Sequence, residues 1–194
     1  MENYGKRTLM KNLNTLTKKG KFDAGHRVMH ERFKCANLHG HEYHYELEFT
    51  YPEVKDIGYA IDFKEIKRIG CQWIEDILDH AFIANPQDKI IIEACHKINS
   101  KLYLMNLVDE NNYCNPTAEN IAKELFFIIS ILLNQPGFLE LNKIRLYETA
   151  SCFVDCKGLS KKDWEKMTTN KLFPLLLKYR TEKGTIEYDS RLTQ

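Results

Sequence analysis

The sequence predicts an α+β fold, and three observations carry that prediction. From His39 to Tyr51, Tyr43, Tyr45, Leu47 and Phe49 alternate with Glu42, His44, Glu46 and Glu48. A period of two with one apolar side marks a half-buried antiparallel strand. Two later stretches repeat at helical spacing instead: Phe63, Ile66, Ile69, Trp73, Ile74, Ile77 and Leu78, then Ile121, Leu125, Ile128, Ile129 and Leu132. Each is an amphipathic helix whose apolar stripe is core. Read in order, the core is strand, strand, helix, helix, strand and a further short strand.

Each element follows from local pattern. Residues 1–15 carry little periodicity and read as an extension. The first strand is expected from Leu16 to Val28, broken near Lys19-Gly20, and a loop from Met29 to Leu38 carries Cys35. The second strand runs from His39 to Tyr51. After a connection at Pro52–Gly58, Asp62 caps a helix to Leu78, with Glu65 three residues on. Gly70 falls inside this helix without a reason visible in sequence. Residues 86–115 hold a helix over Asp88–Asn99, a strand over Lys101–Leu107 and a turn at Asp109–Asn112. Thr117 caps the second long helix, which Asn134-Gln135-Pro136-Gly137 ends. A strand over Asn142–Phe153 closes the domain, assigned to residues 16–156. Short helices at Lys161–Lys166 and Leu172–Tyr179 belong to a C-terminal extension, 157–194.

Composition removes several functions. Twenty-eight basic residues against 27 acidic ones leave no strong basic field, so nucleic acid is not the expected partner. Lys6, Arg7, Lys11, Lys18, Lys19 and Lys21 have no accompanying aromatic platform and read as a solvated lead-in. No apolar run approaches the ~20 residues of a membrane span, and residues 1–20 lack a secretory apolar centre. A cytoplasmic protein with no membrane partner is expected. Six cysteines without a Cys-x-x-Cys pair then read as reduced thiols.

Five of the seven histidines fall between residues 22 and 45. His39 and His41 flank Gly40 and project to one face of their strand, so both can reach one ion, with Gly40 leaving room for it. His26, sharing a face with Phe22 and Ala24, supplies a third nitrogen. Three imidazoles with an open position describe a catalytic zinc site. His44 points the other way. Farther on, Glu148 shares an otherwise apolar row with Ile144 and Leu146, while Arg145 faces the opposite side. A carboxylate so placed is costly unless something pairs with it.

Phe22-x-Ala24-x-His26 and Cys35-x-x-x-His39-Gly40-His41, with Asp79-His80, Pro116-Thr117-Ala118-Glu119-Asn120 and Arg145-Leu146-Tyr147-Glu148-Thr149, resemble the 6-pyruvoyltetrahydropterin synthase and 6-carboxytetrahydropterin synthase family. The resemblance spans residues 15–156. The three residues between Cys35 and His39 look like the bacterial carboxytetrahydropterin type of queuosine synthesis. The resemblance implies the tunnelling fold, an antiparallel sheet with two helices on one face, closed into a barrel by trimers that stack as a homohexamer. It implies zinc on His26, His39 and His41, and Cys35, Asp79 and His80 as catalytic groups. Glu148 and Thr149 would bind the pterin of 7,8-dihydroneopterin triphosphate, Glu148 matching its donor edge in a bidentate way. Ile83-Ala84-Asn85 is one residue longer than the family's path after Asp79-His80, and against the family's usual short connection residues 86–115 are an inserted elaboration. Pyruvoyltetrahydropterin formation is the near rival and a non-catalytic pterin-binding member the distant one. A zinc hydrolase lacks its His-Glu-x-x-His.

Overall fold

A computed structural model describes residues 14–30, 32, 34–52, 54, 58–107 and 114–184. Residues 1–13 of the expected extension, the turn at Asp109–Asn112 and the end of the C-terminal extension lie outside the described residues. Strand β1 (Asn14–His26) pairs antiparallel with β2 (His39–Tyr51) along its whole length, setting His26 opposite His39 and Ala24 opposite His41. The expected break at Lys19-Gly20 is absent. Gly20 is there because the ring of Tyr45, its cross-strand partner, occupies the space a Cβ would need.

β2 pairs antiparallel with β5 (Glu140–Thr149), and β5 with β6 (Cys152–Cys156). The strand expected over Asn142–Phe153 is thus a hairpin. It turns at Ala150-Ser151, where the Thr149 hydroxyl accepts from the Cys152 N–H at 3.1 Å. Outside this antiparallel core, β3 (Ala81–Ala84) runs parallel to β1, and β4 (Leu102–Leu104) runs parallel to β3. The sheet order is β4-β3-β1-β2-β5-β6. Parallel neighbours need a crossover. Helix α3 (Lys89–Lys97), capped by Asp88, supplies it within the insertion. β4 is shorter than the expected Lys101–Leu107 because the N–H groups of Asn106 and Leu107 turn away to Glu124.

The first helical stretch is α1 (Phe63–Ile66), a π turn at Lys67–Cys71, and α2 (Gln72–Ile77). The Asp62 carboxylate accepts from the Lys64 N–H at 2.8 Å, and Glu65 pairs with Arg68. The π turn explains Gly70: a Cβ there would stand 2.7 Å from Leu133 Cδ1, so glycine lets this rod approach the second long helix. That helix is α4 (Ala118–Leu133), whose cap Thr117 accepts from the Asn120 N–H. Its inner side packs on β5 and β6. Its outer side is covered by α5 (Lys161–Thr168) and α6 (Leu172–Lys183), with Phe127 against Trp164 and Phe173, and with Met167 and Leu176 fully buried. Arg180 donates to the carbonyls of Ile131 (2.7 Å) and Asn134 (3.2 Å), satisfying groups that a helix end leaves open. The described part of the C-terminal extension is therefore a layer of the core. No helix among the described residues is long and apolar enough to cross a membrane.

Candidate metal centre and adjoining cavity

Strand register builds the centre. His26 ends β1, His39 begins β2 directly opposite, and His41 stands two residues on, so all three rings project from one end of the inner face. His26 is fully buried, and its Nδ1–H donates to the Pro116 carbonyl at 2.7 Å. His39 Nδ1–H donates to the Asn37 carbonyl at 2.9 Å. A carbonyl can only accept, so each ring carries its proton on Nδ1 and presents a bare Nε2. Those two Nε2 atoms lie 3.0 Å apart. Lone pairs that close repel unless a cation or a proton lies between them. One ligand atom from each of His26, His39 and His41 falls within 4.8 Å of the others. Neutral imidazoles oriented by outer carbonyls are the donor set that suits zinc.

Burial favours the ligating, neutral form of two of the rings. Burial pushes His26 down to about 4; the Pro116 hydrogen bond opposes this, and the neighbouring imidazoles add to it. Burial lowers His41 as well, against the pull of Glu148. Gly40, expected to make room for an ion, serves the strands instead: a Cβ there would meet the Ala24 carbonyl oxygen at 2.8 Å.

Glu148 follows Ile144 and Leu146 along the inner row of β5. Its Oε1 lies 3.7 Å from His26 Nε2 and 3.9 Å from His41 Nε2. Arg145 faces away and holds Asp155 through two hydrogen bonds of 2.7 and 2.8 Å. Beside Glu148 opens a cavity of about 380 Å³, within the range of small-molecule sites. His26, Cys35 and Glu148 line it, with Thr117, Ala118 and Glu119 from the start of α4 and Cys152 and Val154 from β6. Cys35 stands half-buried in the 3-10 turn Lys34–Ala36, and all six cysteines are reduced thiols.

The family described as 6-pyruvoyl tetrahydropterin synthase matches residues 15–158. The chain belongs to that family. Among curated relatives, the 6-carboxy-5,6,7,8-tetrahydropterin synthase of Rickettsia conorii is 38% identical over 144 residues, covering 72% of this chain and 96% of the relative. The enzyme of the same name from Haemophilus influenzae is 32% identical over 146 residues, covering 72% and 96%. Of solved structures, an uncharacterized protein from Wolinella succinogenes superposes with a TM-score of 0.62 at 17% identity, covering 77% of this chain and 100% of that one. The 6-pyruvoyl tetrahydropterin synthase of Caenorhabditis elegans gives 0.54 at 20% identity, covering 76% and 97%. The expected tunnelling fold of the single chain is thereby borne out, with β3 and β4 added in parallel at its edge.

Not every expected site residue meets the others. His80 Nδ1–H donates to Asp79 at 2.7 Å, and Asp79 accepts from the Asp23 N–H at 2.8 Å. This pair forms as a pair but does not line the cavity of its own chain, and the His80 side chain is 76% exposed. Thr149 is exposed in the β5–β6 turn and also lies off the cavity wall. His44 pairs with Glu42 on the outer face, as its parity requires. Sequence reasoning gave no role to Cys152 or to the Pro116 carbonyl. Cys152 was readable from its shared parity with Val154 and Cys156; the carbonyl had no sequence signal.

Proposed function

We propose that this chain is a zinc-dependent 6-carboxy-5,6,7,8-tetrahydropterin synthase. It converts 7,8-dihydroneopterin triphosphate to 6-carboxytetrahydropterin, acetaldehyde and triphosphate, a step toward 7-deazaguanines such as queuosine, in the cytoplasm. The observation that carries this reading is one cavity holding Cys35, Glu148 and His26, its bare Nε2 facing that of His39, in a chain whose curated relatives bear that name. His26, His39 and His41 hold the zinc. Zinc, when bound, acts as a Lewis acid toward the oxygens of the pterin side chain. Glu148 accepts the ring donors and fixes the pterin in the cavity. Cys35, as thiolate, removes a side-chain proton; an ordinary thiol titrates near ~8.5, and a cation beside it lowers that value.

His80, oriented by Asp79, relays protons. Because that pair is exposed on its own chain, it serves the cavity of a neighbouring copy. Among the described residues, the edges at β6 and along residues 14–22 of β1 are open, which suits closure across copies into trimers, paired as a homohexamer. Thr149 contributes through the turn that carries Cys152.

Incubating the purified, zinc-loaded protein with 7,8-dihydroneopterin triphosphate and identifying products by mass spectrometry tests the reading. A carboxypterin with acetaldehyde is expected; a pyruvoyl product would transfer the chain to the rival activity. Cys35→Ala should retain zinc and pterin while turnover falls roughly 10²–10⁴-fold, the usual contribution of a positioned base. Full activity in that variant removes Cys35 from the chemistry.

A further inference from the structure

We infer that the insertion at residues 86–115 braces the metal centre, with Asn115 as a positioning residue that fixes the His26 ring. The inference rests on the reading of His26 as a zinc ligand. Asn115 is 9% exposed, and its side chain treats Met29 as a strand would. Its Oδ1 accepts from the Met29 N–H at 3.0 Å, and its Nδ2 donates to the Met29 carbonyl at 3.0 Å. The same Oδ1 accepts from Asn85 Nδ2 at 3.0 Å. Its backbone carbonyl accepts from Asn120 Nδ2 and the Thr117 N–H, both at 2.9 Å, which ties it to the cap of α4. The next residue is Pro116, whose carbonyl receives the His26 Nδ1–H.

Asn115 thus joins three things: the segment after His26, the cap of α4, and the carbonyl that sets the His26 tautomer. A second tie runs in parallel, since Arg27 grips the Asp88 carboxylate through two hydrogen bonds, and Asp88 caps α3. Within the same segment, the Val28 N–H donates to the Cys35 carbonyl at 2.8 Å. Removing the Asn115 amide leaves both backbone groups of Met29 without these partners and loosens the carbonyl that orients the ring. Outer partners of metal-binding imidazoles typically change affinity by 10–100-fold when removed.

The test is zinc affinity, measured by competition with a chromophoric chelator, for the full chain and two variants. Asn115→Ala should bind zinc at least about tenfold more weakly. Asn106→Ala loosens the same insertion at its contact with α4, where Asn106 Nδ2 donates to Glu124 at 2.8 Å, and should lower the thermal midpoint with zinc affinity unchanged. Affinity within about twofold of wild type in Asn115→Ala, or an equal loss in Asn106→Ala, overturns the inference. Should Asn115→Ala not accumulate as folded protein, Asn115→Asp carries the same test. It keeps the accepted hydrogen bonds and loses the donation to Met29. Wild-type protein that binds no zinc removes the metal reading itself; wild type and variant binding equally well remove only the role of Asn115.

Discussion

Glu124 and Glu148 carry the same side chain into the same half of the molecule and end in opposite states. Glu124, in the middle of α4, is buried and takes hydrogen bonds from the Tyr103 hydroxyl, the Asn106 N–H (2.9 Å) and side-chain amide (2.8 Å), and the Leu107 N–H (3.0 Å). Burial holds its carboxyl above the usual range, and those hydrogen bonds pull the other way. Glu148 is half-buried, faces two imidazoles at 3.7 and 3.9 Å, and accepts no hydrogen bond among the described residues. An ionised carboxylate is an acceptor only. The first has a full set of donors within the chain, and the second has room for a set brought by a ligand. A buried acid satisfied from within belongs to the fold; an accessible one keeps its acceptor sites open to solvent or to a ligand.

The sharpest way to break this contrast is Glu124→Ala, which leaves Tyr103, Asn106 and Leu107 with buried donors and no acceptor. Urea unfolding should show a loss of roughly 3–5 kcal/mol, with zinc affinity unchanged. A loss below about 1 kcal/mol would dissolve the distinction. Next in size is Glu148→Gln, where charge-assisted bonds worth about 1.5–3 kcal/mol are at stake. Pterin affinity, measured by calorimetry, should drop roughly 10- to 100-fold while zinc content and the thermal midpoint stay put. Unaltered affinity would sink the anchoring role.

The smallest effect belongs to Asp155 and Asp79, acids that are paired but wet. Arg145 holds the Asp155 carboxyl below its usual range, and the Asp23 N–H, then His80, do so for Asp79. Folded values below unfolded ones mean that this stability is present above the ordinary carboxylate range and is lost as pH falls through the depressed values. The thermal midpoint should fall modestly from about pH 5 to about pH 3, and high salt should shrink the fall. A rise over that interval would contradict the sign.

What the sequence made legible was parity. His39 and His41 two apart, and His26 in step with Phe22 and Ala24, arrived on the inner face as alternation requires; Glu148 reaches it too, at a register shift between Tyr147 and Thr149 that no alternation announces. Contacts set by tertiary approach were not readable. Gly70 and Gly40 answer to Leu133 and to the Ala24 carbonyl, partners distant along the chain. β3 and β4 are four and three residues long, too short for a period, and their parallel pairing leaves no local trace. Asp79-His80 was found by its likeness to a motif. Its absence from the cavity wall of its own chain is a matter of geometry that no motif encodes.

The covering of α4 by α5 and α6 has a consequence for biosynthesis. Cys156 ends β6 and Lys183 ends α6, 27 residues later. At about 5–20 residues per second, Phe127 and its neighbours stay bare for about 1–5 seconds after the sheet's last strand is made. A chaperone that clasps nascent apolar helices would find its target in that interval, and chains truncated after Cys156 should be the ones that recruit it.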